Sequence, residues 1–550
     1  MTISLGISCF YHNSAAALVE DGVLIAAAEE ERFTRSKNDK RFPAAAIEFC
    51  LSAIESPSDL DVVCFYEQPS RKYLRGFGGI SSRVPVEELA SLKKHVKRLV
   101  GADTPLCFVP HHAAHAASAY FCSPFDHCCI LVVDGVGEDT CISLFEGRSG
   151  QIRNRKEIKY PNSIGLIYSA VTEHLGFRPL LDEYKVMGLA AFGSPDKYSA
   201  ESLLSPNLDG SFRCASAFVE SQMSRDGDGC RFLTSVFGPQ RLPEEPIQPV
   251  HADVAASLQR LTESTLLKLV RHAKSEFPGI LNICLAGGVF LNCKANAYIA
   301  ANAGFADVFI QPAAGDAGAA IGAAFLAQRS GDLARLDRSK TLFNPYLGPS
   351  FDSYQIPRLL AELGLDYREE PDDELVSSVS KAIADGAVVG WFQGRMEFGP
   401  RALGARSLLA DPRREDMAAR LNAIIKQREI FRPFAPAVLK EAALKYFDGA
   451  KLDPYMLFTA DVRRGFRTQF PAITHVDGTA RVQVVERQLC PKFYDLLNAF
   501  GNLTEHPILL NTSFNHSSEP IVCTPQDAIR TFVENKIDLL VLENFIVERV

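Results

Sequence analysis

Two stretches that share one pattern decide the fold. Residues 4–31 are SLGISCFYHNSAAALVEDGVLIAAAEEE, and residues 128–158 are CCILVVDGVGEDTCISLFEGRSGQIRNRKEI. Each predicts three consecutive β-strands joined by short turns, of which Asp21-Gly22 is a hairpin signal. Alternating helix and strand patterns accompany both stretches. The sequence therefore predicts an approximate structural repeat of one α/β unit.

A duplicated α/β domain with these meanders is the arrangement of the actin, hexokinase and Hsp70 superfamily. Such folds hold a nucleotide in the cleft between their halves, on the Gly-rich turns, of which Gly135 begins one. A later apolar strand pattern, LNICLAGG, ends in Gly287 and Gly288. Paired glycines let a backbone approach a ligand closely, and a simple turn is the alternative.

A second composition begins near residue 346. Residues 330–370 are polar, contain several Pro and Gly, and predict a connection between domains. Further helix and strand patterns predict a smaller α/β or α+β domain, and they are GAVVGWFQG, PAVL, REDMAARLNAIIKQR and PQDAIRTFVENK. We therefore expect an actin-like domain at residues 1–345 and a second domain at residues 346–550.

Composition and charge narrow the class of protein. The 550 residues carry 58 basic and 66 acidic side chains, a net charge of −8, which disfavours nucleic acid and anionic membranes as partners. No signal-peptide pattern starts the chain, and no apolar run reaches the roughly 18 residues of a membrane span. We expect a cytoplasmic protein. The 14 cysteines include no C-x-x-C pattern, which disfavours a disulfide framework or zinc ribbon.

The strongest metal-type pattern is a histidine pair. His111 and His115 are four residues apart in a helix-forming segment, so both imidazoles project from one face, as a first-row metal site requires. Asp134, at the end of a predicted strand, and Asp316, at the start of a predicted helix, are candidate carboxylate ligands. Capping or packing is the alternative role for the pair, and His112 is predicted to lie on another face.

Five arginines stand in a stretch punctuated by Gly and Pro. Arginines held on turns suit bidentate binding of phosphate or carboxylate oxygens, and interleaved Phe and Leu residues favour a cleft. Surface arginines that balance the acidic excess are the alternative. The five are Arg395, Arg401, Arg406, Arg428 and Arg432.

Near the end of the chain, PILLNTSFN predicts a buried strand that runs into a loop. Thr512, Ser513 and Asn515 offer small hydroxyl and amide groups at that strand end. They could bind a nucleotide or equally cap the next turn.

Together, motifs along nearly the entire chain resemble the O-carbamoyltransferase family of nodulation-factor and antibiotic biosynthesis. One departure is Asn13, where many members carry Asp. The matching segments are HNSAAALVEDG, EEERFTRSKND, PHHAAHAASAY, LVVDGVGEDT, EYKVMGLAAFG, LAGGVFLN, GDAGAAIGAA, GRMEFGPRALGARSLLADPR, FRPFAP, DGTARVQ and LLNTSFN.

The resemblance implies an actin/hexokinase-like (ASKHA) N-terminal domain with bound iron, similar to the universal tRNA threonylcarbamoyl-adenosine transferase. It also implies a YrdC-like C-terminal domain, in which TSFN looks like the Ser-Ala-Asn motif of that family. In such enzymes carbamoyl phosphate and ATP give carbamoyl-adenylate in the YrdC-like domain, with phosphate and pyrophosphate released. The carbamoyl group then passes to an acceptor hydroxyl in the actin-like domain.

The residues can be given roles in that scheme. The arginine cluster with Arg481, helped by Mg²⁺, would neutralise the charges of ATP and carbamoyl phosphate. Fe²⁺ on the histidine and aspartate set would polarise the carbamoyl oxygen. His12 is the candidate base, or else a loop cap, and Lys37 would hold a phosphate or the acceptor, or else be solvated. Gly287, Gly288 and Asn292 would contact adenosine.

The sequence also permits three other functions. A threonylcarbamoyl-type tRNA-modifying enzyme is the alternative, although the acidic balance counts against RNA. A hydrogenase-maturation carbamoyltransferase would carry C-x-x-C motifs, and a non-catalytic nucleotide-binding regulator would not need the whole set of site residues. The acceptor is a hydroxyl-bearing small molecule or sugar, whose pocket we expect residues 195–250 to line. A homodimer is also expected.

Overall fold

In the computed structural model, the two predicted repeats form sheets. The strands of the first 328 residues are β1 (Ile3–Ser8), β2 (Ala15–Glu20), β3 (Val23–Glu29), β4 (Val62–Phe65), β5 (Leu106–Phe108), β6 (His127–Gly137), β7 (Thr140–Arg148), β8 (Gln151–Lys159), β9 (Leu204–Pro206), β10 (Phe212–Cys214), β11 (Asn282–Ala286) and β12 (Asp307–Ile310). Helices over the same residues are α1 (Glu31–Thr34), α2 (Ala44–Leu51), α3 (Val86–Val100), α4 (His111–Cys122), α5 (Ile164–His174), α6 (Glu183–Leu189), α7 (Ser216–Met223), α8 (Gly229–Phe237), α9 (Pro249–Glu276), α10 (Cys293–Asn302) and α11 (Asp316–Ala327).

The two main sheets have the same strand order. They are β3-β2-β1-β4-β5 and β8-β7-β6-β11-β12, and in each an antiparallel meander is extended by two parallel strands. The predicted hairpin turn is confirmed, since Asp21 and Gly22 both have positive φ, as a type I′ turn requires. The predicted duplicated α/β domain of actin/hexokinase-like fold is confirmed by this repeated order.

The structure describes residues 2–69, 86–101, 103–207, 210–223, 229–328, 342–426, 429 and 431–549. The chain divides into an N-terminal unit, Met1–Glu30 with Asn38–Phe343, and a C-terminal unit, Glu31–Lys37 with Asn344–Val550. Assignment of Glu31–Lys37 to the C-terminal unit has a local cause. Arg35 donates from its two Nη atoms to the carbonyls of Ile521 and Pro520, at 2.7 and 2.8 Å.

Small residues allow α11 to lie against the sheet and against α4. A Cβ atom on Gly322 would be 1.7 Å from the carbonyl oxygen of Ala114, and one on Gly6 would be 1.9 Å from that of Ala320. No side chain fits at either glycine unless the backbones move apart. The Ala- and Gly-rich sequence of α11 therefore fixes how closely Asp316, its first residue, approaches the histidines of α4.

The C-terminal unit is built on an eight-stranded mixed sheet of order β13-β23-β22-β14-β15-β21-β16-β20 and a three-stranded sheet of order β17-β18-β19. Its strands are β13 (Arg368–Glu369), β14 (Val389–Phe392), β15 (Arg406–Ala410), β16 (Ala435–Leu439), β17 (Phe447–Asp448), β18 (Thr459–Val462), β19 (Thr479–Arg481), β20 (Gln483–Val485), β21 (Ile508–Ser513), β22 (Leu539–Leu542) and β23 (Phe545–Glu548). Its other helices are α12 (Gln355–Glu362), α13 (Asp372–Ala384), α14 (Met417–Arg420), α15 (Ala443–Tyr446), α16 (Pro491–Thr504) and α17 (Pro525–Glu534).

Both faces of the large sheet are buried. Helices α13 and α16 cover one face, where Trp391 is fully buried, and a second apolar cluster that includes Phe392 covers the other. The strands predicted at GAVVGWFQG and PAVL and the helix predicted at PQDAIRTFVENK are confirmed as β14, β16 and α17. Consecutive side chains of β14 and β15 are all buried, as expected for a sheet that is covered on both faces.

Two sequence predictions differ from the structure here. The predicted connection at residues 330–370 contains α12, while residues 329–341 lie outside the described residues. The helix predicted over residues 414–428 is α-helical only in Met417–Arg420 and continues as a π-helix over Leu421–Lys426. Apolar periodicity does not distinguish these helix types. Among the helices that the structure describes, none combines the length and the apolar character needed to cross a bilayer.

Candidate metal centre and anion loop

Helix α4 brings the two predicted histidines together at its first turn. It begins at His111, directly after the extended Pro110, so His111 and His115 lie one turn apart on one face. Their Nε2 atoms are 3.1 Å apart, and the two residues are 4% and 0% exposed. Among the described residues, the Nδ1 atoms of both are buried without a hydrogen-bond partner. The two Nε2 atoms therefore face a common point.

Asp134 reaches the same point from β6. The ladder between β6 and β7 is irregular after Val133, which releases Asp134 from regular pairing. The Oδ2 atom of Asp134 lies 3.3 Å from Nε2 of His111 and 4.0 Å from that of His115. Its Oδ1 atom accepts a hydrogen bond of 3.1 Å from the Gly288 N–H. One carboxylate oxygen is thus held by backbone, and the other faces the histidines.

Asp316 supplies the fourth side chain. It is the first residue of α11, where a carboxylate is favoured by the helix dipole. Its Oδ1 atom lies 3.5 Å from Nε2 of His115 and 3.7 Å from that of His111. The Tyr66 hydroxyl lies 3.4 Å from its other oxygen, Oδ2, and also donates to the Cys9 carbonyl at 3.4 Å. Asp316 therefore resembles Asp134: one carboxylate oxygen is held by a hydrogen bond, and the other faces the two histidines.

The donor set fits a first-row divalent metal ion. One ligand atom from each of the four residues lies within 4.8 Å of all the others, about twice a typical metal–ligand bond of roughly 2 Å. Two imidazole nitrogens and two carboxylate oxygens suit Fe²⁺ or Zn²⁺ better than Mg²⁺, which prefers oxygen ligands. The sequence had indicated these four residues, and the fold brings all four together.

The charges of the cluster are strongly coupled. Burial lowers the pKa of His111, but the hydrogen bond to Asp134 and the charge of Asp316 outweigh it and raise that pKa to about 9. Burial raises the pKa of Asp134, yet the contacts with His111 and His115 hold it well below its ordinary value. Both shifts show that the two aspartates favour a positive charge at this point. A metal ion would take the place of that positive charge.

His112 does not join the cluster. Its Nδ1 atom lies 2.9 Å from the Ser143 hydroxyl, on another face of α4, where sequence analysis had placed it. Burial lowers its pKa well below the ordinary value, since the imidazole is taken from water and lies near His111. His112 is therefore a neutral packing residue of the same helix.

Two residues that sequence reasoning missed shape the centre. Glu138, which is 3% exposed, accepts hydrogen bonds through Oε1 from the backbone N–H groups of Gln68, at 2.7 Å, and His111, at 3.3 Å. A Cβ atom on Gly137 would lie 2.1 Å from Cδ2 of His111, so only glycine fits there. Both residues belong to the turn GVGEDT, for which the sequence pattern predicts only a nucleotide-type turn.

The turn after β1 adjoins the centre through Cys9 and Tyr66. The candidate base His12 is half-buried three residues beyond Cys9, and no described contact fixes its role. Asn13 has a φ of 29°, and its residue type tolerates such a left-handed conformation. The assignment of His12 as base stays a prediction.

The predicted nucleotide glycines lie beside Asp134. The Ser163 hydroxyl donates to the Gly135 carbonyl at 2.6 Å, and the Gly288 N–H is engaged by Asp134. Gly287 has a φ of 98°, and a Cβ atom there would lie 2.2 Å from the carbonyl oxygen of Val133. These glycines therefore allow β6 and the loop after β11 to approach one another.

Asn292, the remaining predicted adenosine contact, has structural partners. Its side chain accepts from the Ala295 N–H at 3.0 Å, capping α10, and donates to Oε1 of Gln259 at 2.9 Å. Gln259 in turn accepts from the Tyr168 hydroxyl at 3.1 Å. Contact of Asn292 and of the glycines with adenosine stays a prediction.

In the C-terminal unit, the arginine-rich segment is a loop organised by Glu397. This residue is 3% exposed, and its Oε1 atom accepts from the backbone N–H groups of Leu403, Ala405 and Arg406, at 2.7, 2.7 and 3.2 Å. Sequence analysis missed Glu397, because its partners are backbone N–H groups, which leave no mark in the pattern of residues. The loop that carries the predicted anion site is thus held by a buried carboxylate.

The arginines of this loop differ in their surroundings. Arg406 is fully buried, donates from its Nη atoms to four carbonyls and stacks 3.5 Å above the ring of Phe392. Burial lowers its pKa to about 10. Arg395 is exposed and donates to the Gly348 and Leu347 carbonyls, while Arg401 is half-buried. The described contacts of Arg406 are therefore those of a structural residue.

Strand pairing brings the TSFN segment beside this loop. Thr512 and Ser513 of β21 pair with Leu408 and Ser407 of β15, directly after Arg406. The Ser513 hydroxyl donates to Oδ1 of Asn515 at 2.6 Å, and Nδ2 of Asn515 donates to the Glu519 carbonyl at 2.6 Å. Two segments about 100 residues apart thus meet on neighbouring strands.

The remaining residues that were predicted to bind anions lie at separate positions in the C-terminal unit. Lys37 is exposed and donates to the Ser517 carbonyl at 2.9 Å, four residues after Ser513, so it lies near TSFN. Arg432 is half-buried, 3.6 Å from Glu429. Arg481 is half-buried at the end of β19. Arg428 lies outside the described residues.

The fold and the site define a class: an actin/hexokinase-like α/β domain with a buried two-histidine, two-aspartate centre, joined to a second α/β domain. Within that class, the chain belongs to the carbamoyltransferase family and is a carbamoyltransferase. The carbamoyltransferase N-terminus family matches residues 3–75 and 82–325, and the carbamoyltransferase C-terminus family matches residues 380–549.

Similar proteins cover almost the whole chain. An uncharacterised protein of Synechocystis sp. is 42% identical over 100% of this chain and 97% of its own length. The nodulation protein NolNO of Sinorhizobium fredii is 37% identical over 98% of this chain and 79% of its own length. Among solved structures, one match is component A of (R)-2-hydroxyglutaryl-CoA dehydratase from Acidaminococcus fermentans, which is 15% identical to this chain. The match covers 61% of this chain and 100% of the dehydratase component, with a TM-score of 0.36.

Proposed function

We propose that this carbamoyltransferase is an ATP-dependent O-carbamoyltransferase with one half-reaction in each unit. In the C-terminal unit, carbamoyl phosphate, water and ATP give carbamoyl-adenylate, phosphate and pyrophosphate. In the N-terminal unit, an acceptor hydroxyl attacks the carbamoyl carbon and releases AMP and a proton. The observation that carries the proposal is the convergence of His111, His115, Asp134 and Asp316 on one point.

Adenylation overcomes the poor reactivity of the carbamoyl group. The nitrogen lone pair donates into the carbonyl, so an alcohol attacks a carbamate slowly. A mixed anhydride with AMP supplies a good leaving group, and the energy comes from the release of pyrophosphate. The difficult step is to bring together the negative charges of ATP and carbamoyl phosphate, which requires fixed cations.

The C-terminal unit supplies candidate groups for that step. Arg395, Arg401, Arg432 and Arg481, with Mg²⁺, would neutralise the phosphates, and Lys37 would add a further cation near TSFN. Thr512, Ser513 and Asn515 would bind the nucleotide at the end of β21. Support comes from the pairing of β21 with β15, which carries TSFN to the arginine loop. We include in this proposal that the C-terminal unit is a YrdC-like domain.

The N-terminal centre would carry out the transfer. Fe²⁺, held by the two histidines and two aspartates, would act there as a Lewis acid toward the carbamoyl oxygen. The Gly288 N–H and the Tyr66 hydroxyl each hold the outer oxygen of one aspartate, which orients the inner oxygen. His12 would accept the proton of the acceptor hydroxyl. The acceptor is proposed to be a small molecule or sugar, bound by a cytoplasmic homodimer.

The adenylation half-reaction can be tested without the acceptor. Full-length protein is incubated with ATP, carbamoyl phosphate, Mg²⁺ and Fe²⁺, and carbamoyl-adenylate and pyrophosphate are measured by mass spectrometry and a coupled assay. We expect both products. An adenylate formed from threonine and bicarbonate instead would replace this proposal with a threonylcarbamoyl-type tRNA-modifying enzyme. Absence of any adenylate from folded, iron-loaded protein would contradict both.

A further inference from the structure

The N-terminal unit contains a cavity of about 430 Å³ at the C-terminal end of α5, where the helix ends at His174. Its buried lining includes His174 and Phe237, which are 3% and 2% exposed, while Gln240 and Gln248 at its edge are exposed. Cavities of this size commonly hold small molecules. The buried lining and exposed edge show that the cavity opens to solvent.

His174 is the unusual residue of this cavity. Among the described residues, neither Nδ1 nor Nε2 has a hydrogen-bond partner, although both atoms are buried. Burial lowers the pKa of His174, and the nearby Gly238 backbone, which lies outside normal hydrogen-bond geometry, opposes this effect, so the neutral imidazole is favoured. A neutral imidazole has one N–H donor and one acceptor nitrogen. A bound hydroxyl group could use either, because it both donates and accepts.

The buried cation of the cavity is already engaged. Arg241 is 5% exposed and donates to the backbone carbonyls of Leu175, Gly176, Pro243 and Glu245, at 2.6, 3.1, 3.2 and 2.5 Å. These bonds fix the loop that forms one wall of the cavity. Arg241 therefore shapes the wall, and its charge is balanced by carbonyl dipoles, so an uncharged occupant fits better than an anion.

Aromatic rings form another part of the lining. The rings of Tyr198 and Phe237 meet edge to face at 5.8 Å, and the His174 ring lies 6.1 Å from that of Phe237. Flat faces of this kind pack against ring-shaped molecules. The lining combines an apolar surface for a ring with an imidazole for a hydroxyl.

From these features we infer that the cavity binds an uncharged six-membered ring that carries at least one hydroxyl group. The site is separate from the metal centre. Helix α5 begins after Ser163, whose hydroxyl bonds to the Gly135 carbonyl, and ends at His174, and its 11 residues span about 16 Å. Binding here does not depend on carbamoyl transfer, so either proposal can fail without the other.

The test uses three uncharged probes and one charged control. Cyclohexanol, phenol and methyl β-glucopyranoside distinguish alicyclic, aromatic and sugar rings, and cyclohexanecarboxylate has a charge in place of the hydroxyl. Binding to the full-length protein is followed by calorimetry and by saturation-transfer NMR. We expect saturable binding of at least one uncharged probe and weaker binding of the carboxylate.

Two variants and a control locate the binding. His174→Phe keeps a planar ring but removes both nitrogens, and should weaken the probe at least about tenfold. The same change should leave the melting temperature unchanged or raise it, because a buried polar group without partners is lost. Val250→Trp, at an exposed position of the lining, should also block the probe. His127→Phe, at a half-exposed histidine of the same unit, should bind it normally.

Three results would overturn the inference. One is the absence of saturable binding of every uncharged probe to the unmodified protein. Another is equal binding by His174→Phe, or, if that variant does not fold, by Val250→Trp. The third is tighter binding of cyclohexanecarboxylate than of cyclohexanol.

Discussion

The candidate metal centre of the N-terminal unit and the arginine loop of the C-terminal unit both consist of ionisable residues that motifs in the sequence had indicated. In the metal centre, all four predicted side chains face one point. In the arginine loop, Arg406 is fully buried and donates to three carbonyls of the loop itself and to the Pro349 carbonyl. The same kind of sequence signal, charged residues at turns and element ends, therefore has two structural outcomes.

The reason lies in the spacing of the residues. Histidines four apart on a helix must share a face, and carboxylates at a strand end and a helix start point away from their own backbone. An arginine in a Gly-rich loop has no such constraint, and the loop offers many carbonyls that need donors. Secondary structure therefore fixes where the histidines and aspartates point. In the arginine loop, by contrast, the carbonyl groups of the backbone bind part of the arginine side chains.

The largest expected effect comes from His115→Ala. Removing one of four ligands should reduce bound iron and the rate of carbamoyl transfer at least about 100-fold, while pyrophosphate release in the C-terminal unit continues. Iron content is measured by elemental analysis and transfer by product formation. His112→Ala deletes the same atoms from the same helix and should retain the iron. Equal loss of iron in both variants would contradict the assignment of the centre.

Arg406→Met tests whether Arg406 stabilises the fold of the arginine loop. It leaves four carbonyls without their donor, so the free energy of unfolding of the C-terminal unit should fall by about 3 kcal/mol. Trp391, the single tryptophan of the chain, is buried in β14 and reports this unfolding by fluorescence. The exposed Arg358→Met should change the free energy by less than about 0.5 kcal/mol. A variant at Arg406 that binds ATP poorly but unfolds normally would assign this arginine to the ligand instead.

Gly322→Ala tests whether close packing of α4 and α11 holds the residues of the candidate metal centre together. The new Cβ atom would meet the Ala114 carbonyl of α4, so α4 and α11 must separate. We expect a loss of about 2 kcal/mol in the stability of the N-terminal unit and weaker retention of iron during dialysis. Hydrogen exchange of α4 measures the first effect. Gly279→Ala, where a Cβ atom meets nothing within 4 Å, is the matched control and should change neither.

The smallest effect is a pH dependence in the C-terminal unit. Burial raises the pKa of Asp453 to about 6, while the N–H groups of Leu457 and Tyr455 act against it. A raised pKa means that the folded state holds the proton more tightly than the unfolded state, so stability falls as pH rises through about 6. From pH 5 to pH 7 the loss should be about 1 kcal/mol, measured by urea unfolding with Trp391 fluorescence.

Asp453→Asn provides the control for this pH dependence. Both backbone N–H groups bond to Oδ1 of Asp453, at 3.2 Å each, and the amide oxygen can accept both. We expect the variant to lose the decrease in stability between the two pH values. A variant that retains the full decrease would assign the pH dependence to another group.

The convergence of the four side chains of the candidate metal centre could be predicted because each residue occupies a defined place in a regular element. The i, i+4 spacing of His111 and His115 and the strand end at Asp134 were sufficient. Tyr66 could not be found in this way, because it follows β4, which is remote in sequence from the other residues of the centre. Glu138 lies only four residues after Asp134, but its partners are backbone N–H groups, which no residue pattern indicates. Glu397 escaped notice for a related reason, since its partners are backbone N–H groups that any sequence could supply.

By itself, the sequence determined the repeated meander, the helical histidine pair and the membership of a carbamoyltransferase family, since periodicity and motifs are local properties of a chain. Only the tertiary structure decided which oxygen of each aspartate faces the histidines and that Arg406 donates mainly to carbonyls of its own loop. It also decided that His174 lines a cavity and has no hydrogen-bond partner among the described residues. These outcomes depend on which distant backbones come close together. That approach is set by the packing of small residues such as Gly322 and Gly137, and no local pattern encodes it.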